Sequence, residues 1–192
     1  MTARTHDLAA ITALLAVVLV QPARTLTLST LLLCVLANQM GGIAPDIDQP
    51  TAPLWRNLPI GGFFGKIFGN LLGGHRFLTH SLIGVALFGF LVKLGLALLH
   101  PLLPHTDVGL VLWSFLIGML SHLAMDTLTK EGVPWLLPIP VKFGFPPLKR
   151  LRVTTGKKFE TFVIFPGLLA IIISLVASHY HQILVLLKHH LI

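Results

Sequence analysis

The chain has 192 residues, and its composition excludes a disordered tail, a coiled coil and an ordinary cytosolic enzyme. Apolar residues make up 54% of it and charged residues only 11%, whereas about 25% of a typical soluble domain is charged. The mean hydropathy of +0.84 also indicates a membrane protein. The net charge of +7 is then explained by basic loops on the cytoplasmic face, and we expect no nucleic-acid partner.

Five apolar segments approach the length that a membrane-spanning helix needs. They cover residues 7–21, 26–42, 79–99, 108–128 and 161–187. The first is short, and a re-entrant helix would explain it as well as a span does. We predict an all-α, polytopic membrane bundle of about five spans, in which residues 1–192 form a single membrane-embedded domain.

Two long loops, 43–78 and 129–160, are rich in glycine, proline and basic residues, and the first has a short interfacial helix predicted around Phe63–Leu72. With five spans, both loops and the N-terminus share one face. That face holds eleven of the 14 Lys and Arg residues, which the positive-inside rule places in the cytoplasm. They are Arg4, Arg56, Lys66, Arg76, Lys130, Lys142, Lys149, Arg150, Arg152, Lys157 and Lys158.

Metal-ligating residue types concentrate at the same predicted end of the bundle. Ionisable groups in or beside spans are costly, so each is a functional candidate. Six of the seven acidic residues and four histidines fall at this end: Asp7, Asp46, Asp48, Asp126, Glu131, Glu160, His6, His75, His80 and His122.

The sharpest local pattern is His122-Leu-Ala-Met-Asp126 in the fourth predicted span. Positions i and i+4 of a helix share a face, so the imidazole and the carboxylate can bind one cation. The carboxylate can also orient the imidazole of a metal ligand. A His–Asp hydrogen bond that satisfies two buried polar groups would explain the same spacing.

A second pattern is the acidic turn that contains Asp46 and Asp48 between Pro45 and Pro50. Two carboxylates this close repel each other unless a cation lies between them. Aspartate is also a common turn residue, so a solvated loop is the alternative.

The third pattern runs from Gly74 to Ser81, where a loop enters a span. His75 and His80 are five positions apart, so they need not bind the same ion, and Arg76 between them is a candidate anion holder. A histidine at a helix start can instead hydrogen-bond to the backbone. We count Asp46, Asp48, His75 and Arg76 as candidate catalytic residues.

Two further candidates lie at the starts of the first and last spans. His6 is next to Asp7, and Glu160 closes a basic loop. The simpler explanation for His6 is a polar segment before the first span. The simpler explanation for Glu160 is that an acidic residue stabilises the first turn of a helix. Imidazole mixed with carboxylate suits Zn²⁺, with Mn²⁺ or Fe²⁺ as alternatives, and the number of ligands allows two or three ions.

Taken together, the motifs resemble the YdjM-type family of bacterial inner-membrane, metal-dependent hydrolases. The matching residues extend from about position 5 to position 170. They are Thr5-His6, Ala44-Pro45-Asp46-Ile47-Asp48, Gly74-His75-Arg76, Thr79-His80-Ser81, Ser121-His122, Asp126-Thr127-Leu128-Thr129, Gly132-Val133, Pro138, and Gly156 with Glu160. Gln49 replaces a histidine that is usual in the family, and Phe77 replaces a frequent glycine.

The resemblance implies a multi-pass protein of the bacterial cytoplasmic (inner) membrane. The distribution of basic residues predicts that its site is on the cytoplasmic side. The family is also similar to the all-helical, zinc-dependent phospholipases C, which implies a related helical core. Carried over to this chain, the metal ligands are His6, Asp46, Asp48, His80, His122, Asp126 and Glu160.

We therefore expect a hydrolase that cleaves a phosphoester of a membrane lipid or lipid-linked substrate. Asp46 or Asp48, whichever is not a bridging metal ligand, would act as general base, and Arg76 would neutralise charge on the phosphoryl oxygens. A scaffold with a structural metal site and a metal or ion transporter are alternatives; a haem or quinone protein using His80 and His122 is a further one. The oligomeric state stays open.

Overall fold

The computed structural model describes residues 1–20, 27–74, 76–139 and 141–191, and the regular structure in these ranges is helical. The confirmed fold class is thus all-α. The helices are α1 (Ala3–Val20), α2 (Leu28–Ile43), α3 (Pro53–Arg56), α4 (Gly61–Leu71), α5 (Leu82–Leu99), α6 (Val108–Thr127), α7 (Phe165–Ser178) and α8 (Tyr180–Leu191).

Four helical segments of the described residues are long and apolar enough to cross a membrane. They are Leu28–Asp48, Leu82–Leu102, Val108–Thr127 and Glu160–Ser178. Helix α1 covers most of the first predicted segment, 7–21, whose last residue lies outside the described ranges.

The prediction of one apolar segment over 161–187 is wrong at its C-terminal end. Helix α7 ends at Ser178, and α8 begins at Tyr180. The polar sequence Ser178-His179-Tyr180-His181-Gln182 interrupts the apolar pattern. The Nδ1 atom of His179 lies 3.0 Å from the carbonyl oxygen of Leu175, where it satisfies one of the last carbonyls of α7.

Helix α6 is the centre of the bundle, and it runs parallel to α2 at very close range. A Cβ atom on Gly118 would lie 2.0 Å from the carbonyl oxygen of Asn38, and one on Gly41 would lie 2.0 Å from that of Phe115. The two backbones touch because neither glycine has a side chain. Between them, Asn38 donates from Nδ2 to the Ser114 carbonyl oxygen (3.1 Å).

The start of α2 lies beside the start of α6, since Asp107 donates its backbone N–H to Thr30 Oγ1 (3.0 Å). The ends of both helices therefore point to the same side of the bundle. Helix α1 begins at that side, and so does α5. The ends of α2 and α6 and the starts of α1 and α5, where the predicted metal ligands lie, therefore meet at one side of the bundle.

Helix α4 confirms the short helix predicted in the first long loop. Its glycines at 61, 65 and 69 are buried against the preceding segment, where Trp55 lies. The opposite side of α4 exposes Phe63 and Leu71. Apolar residues on the outer side are typical of a helix at a membrane interface.

The second long loop is held to the end of α6 by backbone hydrogen bonds. Lys130 donates to the Val153 carbonyl oxygen (3.0 Å), and Val153 donates to that of Leu128 (2.9 Å). Val133 and Phe143 exchange two further bonds of 2.8 Å. These contacts fix Thr129 and Glu131 beside the end of α6.

We expect Gly118→Ala to lower the free energy of unfolding by about 1–3 kcal/mol, because the added methyl group forces α2 and α6 apart. Gly95→Ala is the matched control, since a Cβ there meets nothing within 4 Å. Melting temperatures of the purified proteins in one detergent would measure both effects. Equal melting temperatures of the two variants would contradict the close contact.

Candidate metal centre

The side chains of the candidate centre come from four segments that meet at one end of the bundle. His6 lies in the first turn of α1, and Asp46 lies in the 3-10 turn Ala44–Asp48 that follows α2. His80 lies in the 3-10 turn Leu78–His80 just before α5, and His122 and Asp126 lie in the last turns of α6. Asp46 is 25% exposed, and the other four are buried.

His122 is oriented by the carbonyl group of Gly42. The carbonyl oxygen can only accept, so His122 Nδ1 carries the proton of the 2.6 Å hydrogen bond. In the neutral ring, Nε2 then presents its lone pair. This atom lies 3.6 Å from Asp46 Oδ1 and 3.8 Å from Asp126 Oδ2, and it has no hydrogen-bond partner among the described residues.

His6, His122 and Asp126 form one group that could hold a metal ion, with ligand atoms within 4.8 Å of one another. The rings of His6 and His122 stack at a centroid distance of 3.6 Å. His6 Nε2 lies 3.2 Å from Asp126 Oδ1. The amino group of Met1 contacts both His6 Nε2 (2.9 Å) and Asp126 Oδ1.

Asp46, His80 and His122 form a second such group, within the same 4.8 Å limit. His80 Nε2 lies 3.8 Å from Asp46 Oδ1 and 3.6 Å from Asp126 Oδ2. His122 belongs to both groups. Because His122 has one lone pair to offer, at Nε2, the two groups are overlapping positions within one centre. The number of ions stays a prediction.

Asp48 is placed to position His80 rather than to join either group. Its Oδ2 accepts hydrogen bonds from the Arg76 backbone N–H (3.1 Å) and from the Thr79 hydroxyl, and lies 3.6 Å from His80 Nδ1. Burial lowers the pKa of His80, but hydrogen bonds and charge from Asp126 and Asp48 outweigh it and raise the pKa above its ordinary value. Asp126 and Asp48 thus favour positive charge at His80.

Arg76 is buried, and its charge is already paired. Its guanidinium lies 2.7 Å from Asp126 Oδ2 and 3.3 Å from Glu131 Oε2, and it donates to Thr129 Oγ1 at 2.9 Å. The backbone of Arg76 has a positive φ of 59°, which turns the loop so that its N–H faces Asp48. The predicted role as an anion holder stays a prediction.

Glu160 anchors the start of the chain to the last span. One carboxylate oxygen accepts three hydrogen bonds of 2.7 Å, from the Thr2 N–H and from the hydroxyls of Thr2 and Thr5. The other oxygen accepts from the Gly156 N–H, also at 2.7 Å. The carboxylate lies outside both metal-binding groups, and its contacts position α1 and therefore His6.

The structure therefore brings together five of the predicted ligands: His6, Asp46, His80, His122 and Asp126. Asp48, Arg76 and Glu160 surround or support them. His75, the fourth predicted catalytic residue, lies outside the described residues.

A cleft of about 1000 Å³ opens beside the centre, and Asp46 and Asp126 line it. Arg4 and Arg56 also line this cleft. The distribution of basic residues along the chain predicts only a topological role for both arginines. Their sequence positions, next to the His6 and Asp48 segments, are the signal that could have identified them.

The chemistry of the five ligands suits a divalent transition metal, because imidazole nitrogen and carboxylate oxygen together favour ions such as Zn²⁺, Mn²⁺ and Fe²⁺. The Nε2 atom of His122 is the strongest local evidence for a metal ion. It has no hydrogen-bond partner among the described residues, and a buried polar atom without a partner is costly.

We expect Glu160→Gln to lower the free energy of unfolding by about 1–3 kcal/mol, because an amide group would face the donors of Thr2, Thr5 or Gly156. Bound metal should stay unchanged in the folded protein. Asp107→Asn is the control, since Asp107 lies at the opposite end of the bundle and asparagine also caps a helix. Melting temperature and metal content would be measured together; loss of metal at an unchanged melting temperature would make Glu160 a ligand.

The chain was compared with known proteins. It is 32% identical over 126 residues to the inner membrane protein YdjM of Escherichia coli (strain K12), over 63% of this chain and 56% of that protein. The YdjM protein of Shigella flexneri matches to the same extent. YvsG, an uncharacterized protein of Bacillus subtilis (strain 168), is 27% identical over 128 residues, which are 67% of this chain and 69% of YvsG.

The match to this chain thus spans little more than half of each YdjM protein. No solved structure matches the chain, so the similarity to phospholipases C stays a prediction. The model of the family described as YdjM inner membrane protein matches residues 1–185. Because that match covers nearly the whole chain, the chain belongs to the YdjM family of inner membrane proteins.

Proposed function

We propose that this protein is a metal-dependent hydrolase of the inner membrane that cleaves a phosphoester bond in a lipid or lipid-linked substrate. The observation that supports the proposal best is the orientation of His122. Its Nδ1 proton is bound to the Gly42 carbonyl oxygen, and its Nε2 lone pair faces Asp46 and Asp126. Metal-binding histidines are commonly fixed in this way by a backbone carbonyl on the second nitrogen.

The described side chains fit a divalent ion. His6, Asp46, His80, His122 and Asp126 would hold it, with Zn²⁺ as the first choice and Mn²⁺ or Fe²⁺ as alternatives. Such an ion supplies a Lewis acid that polarises a phosphoryl oxygen.

The chain's own groups would supply the remaining chemistry. Asp46 faces His80 and His122 with Oδ1, which would be its ligand atom. Asp46 is also partly exposed and lines the cleft, so its other oxygen is better placed than the buried Asp48 to accept a proton from attacking water. Asp48 is buried and bound to the Thr79 hydroxyl and the Arg76 N–H, which suits positioning. Arg4 and Arg56 line the same cleft and would bind the phosphate oxygens of the substrate.

A lipid substrate follows from where the centre lies. Four of the five ligands, Asp46, His80, His122 and Asp126, lie at or near the ends of candidate spans, where the headgroup region of a bilayer would be. The concentration of basic residues in the N-terminal segment and the two long loops supports a cytoplasmic location for this end.

A scaffold with a structural centre is the second candidate. Asp126 already pairs with the guanidinium of Arg76 at 2.7 Å, so part of its charge is balanced by the protein itself. A structural metal site would have all its positions filled by protein ligands.

We expect His122→Ala to lose the bound metal, because His122 belongs to both ligand groups. Elemental analysis of protein purified without a histidine tag should find at least one equivalent of Zn, Mn or Fe in the wild type. His100→Ala is the matched control, since His100 is exposed at the opposite end of the bundle. Equal metal contents in the two variants would contradict the proposed ligands.

We expect Asp46→Asn to lower the turnover of a phospholipid by about a hundredfold or more, as removal of a general base does. Phosphatidic acid and phosphatidylglycerol in mixed micelles would be the probes, with released phosphate or headgroup as the readout. Asp107→Asn is the control, because asparagine also caps a helix and Asp107 caps the distant start of α6. Metal-loaded protein that hydrolyses neither lipid would favour the structural centre.

A further inference from the structure

A smaller cleft of about 340 Å³ adjoins the large one, and its lining is mainly apolar. Ile43 at the end of α2, Ala52 in the following loop, Leu54 in α3 and Leu58 after α3 form much of its wall. Both cleft volumes are in the range of about 300–1,000 Å³ that is usual for small-ligand sites.

The two clefts meet at the candidate metal centre. Asp46, Asp7, Ala3 and Ala52 line both of them. A molecule that occupied both clefts would therefore have an apolar part beside Ile43 and a polar part beside Asp126, with the junction of the two parts at Asp46.

The lining of the large cleft contains both carboxylates and guanidinium groups, and the guanidinium groups are suited to an anionic part of such a molecule. The large cleft is lined by Arg4 and Arg56, and the structure describes no ion pair for either side chain. Exposed guanidinium groups beside a cleft are suited to phosphate oxygens, which they bind through two parallel hydrogen bonds.

The small cleft is continuous with the surface of α2 that faces outward from the bundle. The exposed side chains of Leu32, Leu36, Met40 and Ile43 lie on one side of this helix, since their spacings are four, four and three residues. The helix is a candidate span, so this row would contact hydrocarbon. Its last member, Ile43, is also part of the cleft wall.

We infer that the small cleft is a binding site for one hydrocarbon chain of an anionic membrane lipid, which enters sideways from the bilayer along the row from Leu32 to Ile43. The chain lies between Ile43, Leu54 and Leu58, and the phosphate lies in the large cleft near Arg4 and Arg56. This inference deepens the proposed function, because it places the scissile region of a lipid at Asp46. The chain site itself depends on neither metal nor turnover.

The test is photolabelling of the full-length protein in nanodiscs with phosphatidylglycerol that has a diazirine on its acyl chain. Labelled residues would be located by mass spectrometry. A binding site should give labelling of Ile43, Leu54 and Leu58 that saturates as the fraction of photolipid rises. Labelling of Phe90 and Leu94 on the exposed surface of α5 should rise in proportion to that fraction, since these residues contact bulk lipid.

The variant Leu54→Asp/Leu58→Asp should lower the labelling of Ile43 at least fivefold, because two carboxylates would repel the chain. Leu71→Asp is the matched control, since Leu71 is exposed on α4 and does not line the cleft. Asn57→Trp is a second variant that fills the cleft from an exposed position. Labelling of Ile43 that neither saturates nor falls in the cleft variants, in protein with a normal melting temperature, would overturn the inference.

The same experiment on His122→Ala separates the two proposals. Retained saturable labelling in metal-free protein supports the chain site whatever the outcome for hydrolysis. Loss of saturable labelling in His122→Ala, with retention of the melting temperature, would overturn the independence of the chain site from the metal centre.

Discussion

The hydrogen bond from His122 to the Gly42 carbonyl oxygen is the interaction on which the arrangement of the candidate centre depends. It forms only because α2 and α6 approach until their backbones touch at Gly41 and Gly118. At an ordinary interhelical distance of 8–10 Å, the carbonyl group would be out of reach, and the imidazole would be free to rotate. The two glycines thus affect the candidate metal centre through the packing of the helices, because the close approach determines which nitrogen of His122 faces the carboxylates.

Asp126 makes more ionic contacts than any other described residue of the centre. Its two oxygens face His6, His80, His122 and Arg76 within 3.8 Å. A buried carboxylate is tolerated only with cations or donors around it, because the loss of hydration costs several kcal/mol. Arg76 and the amino group of Met1 supply two such cations, and the neighbouring carboxylates of Asp46 and Asp48 add negative charge of their own. Three carboxylates thus lie beside two protein cations, which leaves part of the negative charge for a bound ion to balance.

Much of the centre was predictable from the sequence. Helix periodicity depends only on neighbouring residues, and the end of the bundle at which a residue lies follows from counting the spans. The spacing of His122 and Asp126 placed both on one face, and counting the spans placed Asp46, His80 and His6 at the same end. The contacts that the sequence does not predict join residues that are far apart in the chain. The Gly42 carbonyl, the pairing of Arg76 with Asp126 and the four hydrogen bonds of Glu160 have no sequence signature. The sequence did not predict the end of α7 at Ser178, because the apolar residues on both sides of the short polar segment read as one continuous apolar segment.

The exposure of the ligands bears on whether the centre is structural or catalytic. A closed structural site buries every ligand, whereas a catalytic site keeps one side open for substrate. His80, His122 and Asp126 are at most 1% exposed, but Asp46 is 25% exposed and lines both clefts. The open side of the centre is therefore the side that faces the large cleft and the outward surface of α2. A centre whose sole function was to hold the helices together would need no such opening, and the opening lies where the headgroup and chain of a lipid could reach Asp46 together.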